Sequence, residues 1–585
     1  MNKQQVDLDA MRHSCAHVLA QAVMDMFPEA KLGIGPTIED GFYYDFELPR
    51  TLIPEDLPIL EKKMKKIVKE DQRFVKKEEP IEQSLEFLRL TEQKYKLDLA
   101  EQFQKEGRDI TFYENVRPSD QKPMFVDLCK GNHVDRTGQI GAFKLVKVAG
   151  AYWRGDSNNP MLQRIYGTCW QNQDDLNAHL KQLEEAKKRD HKLLGKQLGL
   201  FAFSPLVGAG FPMFLPKGNN LKRNLEKYIT DAKESRGYKF VCIPHVAKDE
   251  LYVKSGHLGK YDAMMPVMET EEGDKLVLKA MNCPHHFELY KAEPHSYKEL
   301  PLRYAENTAV YRNEKSGEVN GLFRVRCITQ DDTHHFVRHE QIEEEIDMIL
   351  SLTKEVYEKF GFSNFKARVS VRDPKHPEKY FGDDKLWKKA EEKLISSVSK
   401  WTDDHFIGEG EAAFYGPKID IMVEDAIKRE WQLTTVQLDF TQPENFELTY
   451  TGEDGKDHRP AVLHVAIFGS FERFLGILIE HYGGAFPFWL APVQVRVVPV
   501  VEKFNAYGQE VLKTLEKAGI KVEIDDSGDS LGKKIRNAEL MKIPLVLVVG
   551  EKEAESKAVT VRDYATKEQK EYSLDDFLKM IAELE

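Results

Sequence analysis

The sequence predicts an α+β protein with several domains, on the evidence of its length and of two changes in pattern along the chain. The 585 residues would fill three or four domains of about 150 residues each. Residues 174–197 lack proline, are rich in helix formers and carry apolar residues at helical spacing, which predicts a linker helix. After residue 490, strand-like runs alternate with helix-like ones, which predicts a small α/β domain with a largely parallel sheet.

The composition excludes several classes of protein. Glycine and proline, at 37 and 26 residues, are too few for a collagen-like or low-complexity chain. Six cysteines without a Cys-x-x-Cys pair argue against a disulfide scaffold and favour a reduced, cytoplasmic protein. No run reaches the roughly 18 apolar residues of a membrane helix, and acidic residues precede the first apolar run, unlike in a secretory signal.

The overall charge does not favour a generally basic nucleic-acid surface, since 84 basic and 97 acidic residues give a net charge of −13. Nucleic acid would therefore have to bind a local patch. One such patch lies at residues 61–77, with eight lysines or arginines against three acids. We interpret it as the solvated face of a helix, with a phosphate-binding surface as the alternative.

The first block opens with a helix that carries two histidines. Capping signals start this helix at Asp7 or Asp9, and Pro28 ends it. At 100° per residue, His13 and His17 lie together, opposite the apolar stripe of the helix. We therefore interpret them as residues of a site rather than of the helix core, and a solvated face is the alternative.

A second pair of candidate residues, Cys129 and His133, straddles Gly131 after an apolar run. The histidine pair has the spacing of the HExxH zinc motif but lacks its acid, since Ser14 stands in that place. The two pairs could bind zinc tetrahedrally, or they could line a hydrolytic pocket in which histidines position water. Residue chemistry alone leaves both interpretations open.

Three segments of this block resemble the editing domain of bacterial threonyl-tRNA synthetases: HSCAHVLAQA, FVDLCKGNHV and AGAYWRGDSNNPMLQRIYGTCW. The resemblance implies an α/β editing domain at residues 1–173, with a metal-independent site that hydrolyses seryl-tRNA. It also implies that the chain lacks the small ubiquitin-like N-terminal domain that many bacterial members carry. The residues that match the editing site are His13, His17, Lys96, Asp127, Cys129 and His133.

The middle block, residues 198–490, resembles the catalytic core of the same family over essentially its whole length. The matching segments include SGHLGKYDAMM, KAMNCPHHFELY, FYGPKID and TVQLDF, while YRNE and GSFERF match motifs 2 and 3 of class II synthetases. The resemblance implies an antiparallel sheet flanked by helices, with ATP and its Mg²⁺ bound over the sheet. Motif 1, around Pro244 in KFVCIPHVAK, implies a homodimer.

The motif residues suit the chemistry of adenylate formation. A carboxylate attacks the α-phosphate of ATP, so the site needs cations that cancel charge and fix geometry. Arginine does this well, because its planar fork binds phosphate oxygens bidentately. The resemblance assigns the α-phosphate to Arg312, the γ-phosphate to Arg473, the adenine end to Glu314 and a further phosphate contact to Arg324.

The family also holds a zinc ion, and Cys283, His334 and His464 match its ligands. Their separations of 51 and 130 residues fit no spacing rule. Neighbouring residues on a strand face opposite ways, so only one of His334 and His335 can point into the pocket, and the QDDxH motif selects His334. Three protein ligands would leave zinc open to the amino and hydroxyl groups of threonine.

Zinc and its neighbours address the problem of discriminating between amino acids. The resemblance places Gln330, Asp332, Tyr415 and Gln432 at the threonine pocket. A site that binds a hydroxyl rejects valine by about 10⁴ or more, but serine lacks only a methyl worth about 1–3 kcal/mol. A second, hydrolytic site is therefore required. The sequence WQLTTVQLDF departs from the family's usual QCGTVQLDF at Leu433 and Thr434.

The last block, residues 491–585, resembles the α/β anticodon-binding domain of class II synthetases. It has 15 basic and 18 acidic residues, so its overall charge does not attract RNA. RNA binding by this block would therefore depend on specific contacts to bases. Glu553 and Arg562 match positions that face anticodon bases, and ordinary exposed charge is the alternative. The loop DDSGDSLGKKIRN departs from the family pattern.

These resemblances imply a threonine–tRNA ligase. It would activate L-threonine with ATP, transfer it to tRNA(Thr), and hydrolyse seryl-tRNA(Thr) at the editing site. Two alternatives are a stand-alone deacylase with a degenerate core and a synthetase-derived RNA-binding regulator. The complete set of motif arginines and zinc-ligand residues argues against both.

Overall fold

The computed structural model describes residues 7–156, 158–315, 317–380 and 384–584. The chain divides into two compact units, Met1–Glu184 and Glu185–Glu585. Within the described residues, no helix is both long enough and apolar enough to cross a membrane.

The first unit consists of two antiparallel sheets and the helices that cover them. The five-stranded sheet contains Lys31–Leu32, Thr37–Ile38, Gly41–Glu47, Ala142–Tyr152 and Met161–Trp170. The three-stranded sheet has the order Arg73–Glu78, Thr111–Val116, Pro123–Leu128. The helices are Leu8–Met24, Asp56–Lys69, Ile81–Leu90 and Lys94–Lys105.

Helix Leu8–Met24 is the central element of the first unit. The Asp7 carboxylate caps it by accepting a hydrogen bond from the backbone N–H of Asp9. Nearly every residue from Ala10 to Val23 is buried, including His17, whose exposure is only 1%. The alternative of a solvated histidine face is therefore wrong for His17, while His13 is half-buried.

The basic segment at residues 61–77 spans the end of helix Asp56–Lys69 and the start of strand Arg73–Glu78. Leu60, Met64 and Ile67 are buried in the core of the unit, while most of the helix lysines are exposed. This amphipathic arrangement is that of a solvated helix face.

The segment predicted as a single linker helix forms two helices, Gln173–Arg189 and His191–Leu198. The break falls at Asp190, whose carboxylate accepts hydrogen bonds from the N–H groups of Lys192 and Leu193. An aspartate competes for backbone donors in this way and starts a new helix. The second helix ends at Gly199, which adopts a left-handed conformation.

An eight-stranded sheet forms the centre of the second unit. Its order is Lys239–Phe240, Leu302–Tyr311, Cys327–Val337, Ala461–Ala466, Glu430–Asp439, Lys418–Glu424, Phe365–Val371 and His405–Glu409. All neighbours are antiparallel except the pair at each edge. This is the antiparallel sheet, flanked by helices, that the resemblance implies for residues 198–490.

Helices and short strands surround this sheet. The helices are Pro216–Glu234, Asp249–Lys254, Cys283–Lys291, Ile342–Lys359, Asp384–Trp401, Thr441–Asn445 and Phe471–His481. The short strands are Phe201–Ala202, Met213–Phe214, Val246–Lys248, Met268–Glu269, Lys275–Leu278, Tyr450–Thr451 and Asp457–His458. The main core contains side chains of the long helices packed on the strands, among them Ile346, Leu463 and Phe474.

The C-terminal part of the second unit contains a five-stranded sheet in the order Val522–Ile524, Val495–Pro499, Leu545–Val549, Ala558–Asp563, Gln569–Ser573. The first three strands are parallel and the last two are antiparallel. The prediction of a largely parallel sheet is therefore wrong for its last two strands, since Gln569–Ser573 returns by a hairpin and helices supply only the earlier crossovers. The helices are Asn505–Lys517, Leu531–Leu540, Glu551–Ser556 and Leu574–Ala582.

Candidate functional site

The two pairs predicted in the first unit come together in one cluster, made of His13, His17, Cys129 and His133. One ligand atom from each of the four lies within 4.8 Å of the others. The Cys129 Sγ lies 3.3 Å from Nε2 of His13 and 3.3 Å from Nε2 of His133. Helix Leu8–Met24 presents the two histidines one turn apart, and the turn after strand Pro123–Leu128 brings in the other pair.

Burial determines the protonation of this cluster. Loss of solvent lowers the pKa of His13, lowers that of His17 well below its ordinary value and brings that of His133 to about 3. The same burial raises the pKa of the Cys129 thiol to about 12. At neutral pH the cluster therefore holds three neutral imidazoles and a protonated thiol, which suits water positioning better than nucleophilic attack by sulfur.

Asp127 and Lys96 form a buried ion pair beside the cluster. The Lys96 Nζ lies 2.8 Å from Oδ1 of Asp127, and Nε2 of His17 lies 3.8 Å from Oδ2. The Tyr44 hydroxyl donates a hydrogen bond to the same carboxylate. Tyr44 was missed by the sequence analysis, although strand alternation in GFYYDFE would have assigned it to the inner face.

A cavity of about 1140 Å³ opens onto these residues. Its walls carry His13, His17 and Cys129, and its charged lining is balanced, with four basic residues (Lys76, Lys96, Arg108 and Lys130) and four acidic ones (Glu78, Glu79, Asp109 and Asp127). Small-molecule sites are typically about 300–1,000 Å³, so this cavity can hold more than a single amino acid. Two of the basic side chains have acidic partners in the same lining, since Lys76 pairs with Glu78 and Lys96 with Asp127.

A second cluster lies in the catalytic sheet and contains Cys283, His334 and His464. All three are buried, and their ligand atoms lie within 4.8 Å of one another. His334 and His464 are direct partners on adjacent antiparallel strands, which explains how residues far apart in sequence meet. Cys283 is the first residue of helix Cys283–Lys291, and burial raises the pKa of its thiol well above the ordinary value, so that a bound cation would be needed to hold it as a thiolate. His335 faces the other way, and its Nδ1 lies 2.9 Å from Oε2 of Glu345.

Each histidine of this cluster is held by a neighbour that sequence reasoning missed. Nδ1 of His334 lies 2.8 Å from Nδ1 of His286, and Nε2 of His464 lies 2.9 Å from Oδ2 of Asp439. One ring nitrogen of each histidine is thereby left for a metal. Two imidazoles and a thiolate with one open position are a donor set that zinc prefers. The His285–His286 doublet was the only sequence signal for one of these neighbours.

Two of the four residues predicted at the threonine pocket adjoin the cluster. Asp332 is half-buried; loss of solvent raises the pKa of its carboxyl, which accepts a 2.9 Å hydrogen bond from Asn282. The Tyr415 ring lies 5.7 Å from that of His464. Gln330 donates to the Gly469 carbonyl at 3.4 Å.

The fourth residue, Gln432, belongs to a hydrogen-bond network of its own. It donates to Asp420 at 2.8 Å and accepts from Arg368 at 3.0 Å. The two positions that depart from the family pattern are structural. Leu433 is buried, and the Thr434 hydroxyl donates to the Ile467 carbonyl at 2.7 Å.

Arg312 and Arg473 are cations without counter-ions. Neither has a carboxylate within ion-pair distance among the described residues, and the Nε of each is buried without a hydrogen-bond partner there. Their guanidinium groups each lie 5.8 Å from an aromatic ring, Tyr261 and Trp431 respectively. Burial lowers the pKa of Arg473. Unpaired, partly buried guanidinium groups are suited to bind an anion.

Arg324 and Glu314, by contrast, are partners of each other. Nη2 of Arg324 lies 2.7 Å from Oε2 of Glu314 and 2.7 Å from Oε2 of Glu318. Neither predicted residue is free for ATP in this arrangement. A phosphate at Arg324 would have to replace these carboxylates.

The two residues predicted to face the anticodon also have partners within the chain. Glu553 accepts from the Gly550 N–H at 2.9 Å and from the Thr560 hydroxyl at 2.7 Å, so it caps helix Glu551–Ser556. Arg562 donates to Glu539 at 2.9 Å.

Three family profiles match the chain. Residues 267–482 match the tRNA synthetase class II core domain (G, H, P, S and T), and residues 494–584 match the anticodon binding domain. Residues 111–166 match the threonyl and alanyl tRNA synthetase second additional domain.

Named relatives match nearly the whole chain. The threonine–tRNA ligase of Geobacillus kaustophilus is 47% identical over 578 residues, which cover 98% of this chain and 87% of that protein. Threonine–tRNA ligase 1 of Bacillus subtilis is 48% identical over 574 residues, covering 98% and 88%. This chain belongs to the threonine–tRNA ligase family. The predicted family and enzyme class are confirmed, and the two alternatives, a stand-alone deacylase and an RNA-binding regulator, are set aside.

Solved structures of threonyl-tRNA synthetases also resemble this ligase. One is described as the RNA binding domain of the Cryptosporidium parvum enzyme, with a TM-score of 0.65 and 38% identity over 68% of this chain and 98% of that one. Another is a putative threonyl-tRNA synthetase from Aeropyrum pernix, with a TM-score of 0.59 and 29% identity over 68% and 94%. The ligase thus combines a class II core, an anticodon-binding domain and an editing domain for mischarged tRNA.

Proposed function

We propose that the ligase activates threonine at the Cys283–His334–His464 cluster and hydrolyses seryl-tRNA(Thr) at the His13–His17–Cys129–His133 cluster. The first assignment is supported by one observation: three buried residues of the kinds that bind zinc lie together beside Asp332. The proposed domains are residues 1–173 for editing, 174–197 for the linker, 198–490 for catalysis and 491–585 for anticodon binding.

Cys283, His334 and His464 would hold zinc, with Asp439 and His286 fixing the orientation of the two histidines. Bound zinc supplies a Lewis-acidic position for the amino and hydroxyl groups of threonine. Asp332 accepts the hydrogen of the threonine hydroxyl, and Tyr415 closes the pocket, with Gln330 and Gln432 further along the sheet. Valine has no hydroxyl to offer and would leave Asp332 without one hydrogen-bond donor, so it is rejected.

The arginines carry the phosphate chemistry. Arg312 neutralises the α-phosphate as a carboxylate oxygen of threonine attacks phosphorus and pyrophosphate leaves, while Arg473 holds the γ-phosphate. Glu314 contacts the adenine end, and Arg324 exchanges its carboxylate partners for phosphate oxygens. Mg²⁺ bound with ATP would supply positive charge for the departing pyrophosphate.

The editing cluster provides neutral imidazoles that accept hydrogen bonds from water beside the seryl ester. Lys96 and Asp127 orient the serine head group, and Cys129 contributes a protonated thiol. The bond from the ester carbonyl to the ribose oxygen breaks, the proton of the attacking water passes to that oxygen, and serine and free tRNA result. The partner is tRNA(Thr), read in part by Glu553 and Arg562. A homodimer in the cytoplasm is the proposed setting.

The deciding experiment is threonine-dependent ATP–pyrophosphate exchange on the purified full chain, with serine and valine as competing substrates. We expect exchange with threonine, weaker exchange with serine and none with valine, because only valine lacks the hydroxyl. Removal of zinc by a chelator should abolish exchange, and restoring zinc should return it.

Two cysteine variants test whether zinc binding and exchange depend on the Cys283–His334–His464 cluster. Cys283→Ala should lose both bound zinc and exchange, whereas Cys242→Ala, at an exposed cysteine, should keep both. Zinc retained at full stoichiometry by Cys283→Ala would show that the metal is held elsewhere, and valine accepted as well as threonine would refute the proposed selectivity.

A further inference from the structure

Ser14 occupies the position between the two histidines of helix Leu8–Met24, and its side chain is fully buried. Its Oγ lies 2.8 Å from the Ala10 carbonyl oxygen and 3.1 Å from Nδ1 of His133, and it accepts a 3.0 Å hydrogen bond from the Val134 N–H. Ser14 therefore joins the helix to the loop that carries His133, from 119 residues away in sequence.

A hydroxyl has one hydrogen to donate and can accept two. The Val134 N–H can only donate, so it uses one acceptor site of Oγ. The Ala10 carbonyl can only accept, and at 2.8 Å it takes the hydroxyl hydrogen, as helical serines commonly allow. What remains for His133 is the second acceptor site. Its Nδ1 must therefore carry a hydrogen, and its Nε2 must carry a lone pair.

We propose that Ser14 is a positioning residue for seryl-tRNA hydrolysis, which holds His133 as the Nδ1–H tautomer so that the single lone pair of Nε2 can accept a hydrogen bond from the Cys129 thiol or from the attacking water. This inference rests on the proposed assignment of the cluster as the editing site. Nε2 of His133 lies 3.3 Å from the Cys129 Sγ.

The other contacts of His133 cannot make this choice. Its ring stacks against Phe74, with centroids 4.8 Å apart and planes 3° apart, and against His13, at 4.3 Å and 28°. Stacking fixes the plane of the ring. However, a 180° flip of the imidazole about its bond to Cβ keeps the ring in that plane and exchanges the positions of nitrogens and carbons. The ring orientation is fixed by its two directed contacts, from Nδ1 to Ser14 and from Nε2 to Cys129. The thiol can donate or accept, so it is the Ser14 contact that selects the tautomer.

The direct test is the nitrogen chemical shifts of His133 in the full-length enzyme labelled with ¹⁵N-histidine, assigned by comparison with His133→Asn. We expect wild-type Nδ1 to carry the hydrogen and Nε2 to lack it. A hydrogen on Nε2 of the wild-type enzyme would overturn the inference without any variant at Ser14.

The functional test is the hydrolysis of preformed seryl-tRNA(Thr) by Ser14→Ala. We expect kcat to fall about 10- to 100-fold with KM little changed, and the His133 shifts to report a mixture of tautomers. Ser84→Ala is the matched control. Its hydroxyl is also buried on a helix of the same unit, and it has no hydrogen-bond partner in the described part of the chain.

Three outcomes separate the inference from the site assignment. If His133→Asn hydrolyses seryl-tRNA normally, the proposed editing site is wrong. If His133→Asn is inactive while folded Ser14→Ala keeps full kcat, only the role of Ser14 is overturned. Equal losses in Ser14→Ala and Ser84→Ala would mean that general destabilisation, rather than His133, explains the effect.

Discussion

Histidine is the main residue of both candidate sites, and burial lowers the pKa of histidines in each. Burial lowers the pKa of His133 to about 3 and that of His334 well below its ordinary value. A neutral imidazole can bind metal or accept a hydrogen bond from water, and its neighbours decide which nitrogen is available. His464 owes its orientation to Asp439, and His133 owes its orientation to Ser14.

Asp439→Asn should weaken zinc binding. The carboxylate accepts a hydrogen bond from His464, and an amide is a poorer acceptor that can also present its NH₂ group to the ring. We expect about a 10- to 100-fold rise in the zinc dissociation constant, measured by competition with a chromogenic chelator.

Asp454→Asn is the matched control for this change. Asp454 also pairs with a histidine, His458, at 2.9 Å, but both side chains are about half exposed. Zinc affinity should be the same as in the unmodified enzyme. Equal affinity in both variants would show that Asp439 does not support the metal site.

His133→Asn should reduce the acid sensitivity of the first unit. The folded pKa of about 3 is below the unfolded value of about 6.5, so between these values the unfolded chain binds a proton that the folded chain does not. The titration of His133 therefore leaves the free energy of unfolding unchanged above about pH 6.5. Below that pH it lowers the free energy of unfolding by about 1.4 kcal/mol per pH unit.

The measurement is thermal unfolding from pH 7.5 to pH 4.5. The melting temperature of the variant should fall less over this pH range than that of the unmodified enzyme, even if the variant is less stable at pH 7.5. Parallel curves for the two proteins would contradict the assigned pKa.

Close packing around a helix determines whether its glycine can be replaced by a larger residue. Helix Pro216–Glu234 begins against the segment that includes Leu200, and a Cβ on Gly218 would lie 1.8 Å from the Leu200 carbonyl oxygen. Helix Leu531–Leu540 has open space at its own glycine, since a Cβ on Gly532 would meet nothing within 4 Å.

The same substitution should therefore have opposite effects in the two helices. Gly218→Ala should destabilise the enzyme by several kcal/mol or prevent folding, because backbone must move to admit the methyl. Gly532→Ala should stabilise its helix by about 0.5–1 kcal/mol, because alanine loses less backbone entropy. Thermal unfolding of both variants measures the effect, and a tolerated Gly218→Ala would contradict the close approach.

Local sequence signals also misjudged two elements. The linker segment has uninterrupted helix formers, but Asp190 caps a new helix within it. The last sheet contains an antiparallel hairpin that the alternation of strands and helices did not reveal. In both cases a single side chain or turn outweighed the average propensity of the segment.

At the scale of the whole molecule, each candidate site is built within one of the two compact units. Each unit also has a hydrophobic core of its own. We therefore expect the two reactions to respond independently to substitutions.

Cys129→Ala should abolish hydrolysis of preformed seryl-tRNA(Thr) and leave threonine-dependent ATP–pyrophosphate exchange unchanged. Cys283→Ala should do the reverse. Both activities are measured on both full-length variants, so each variant serves as the control for the other. Loss of both activities in either variant would contradict the independence of the sites.

The sequence by itself determined the family, the broad fold class and the short-range pairs. The i, i+4 spacing of His13 and His17 needs only the regular turn of a helix, and the motifs around Arg312 and Arg473 are contiguous. Such signals depend on neighbours along the chain, so they can be recognised without a structure.

Only the tertiary structure decided how those residues are supported. His464 faces His334 because two strands pair in one register, and Ser14 reaches His133 because a helix packs against a loop 119 residues away. Register and packing depend on the whole set of contacts in the fold, and a hydrogen bond between remote residues leaves no periodic signal in the chain. The supporting roles of Asp439, His286 and Ser14 therefore could not be assigned from the sequence, although the residues they support could be identified there.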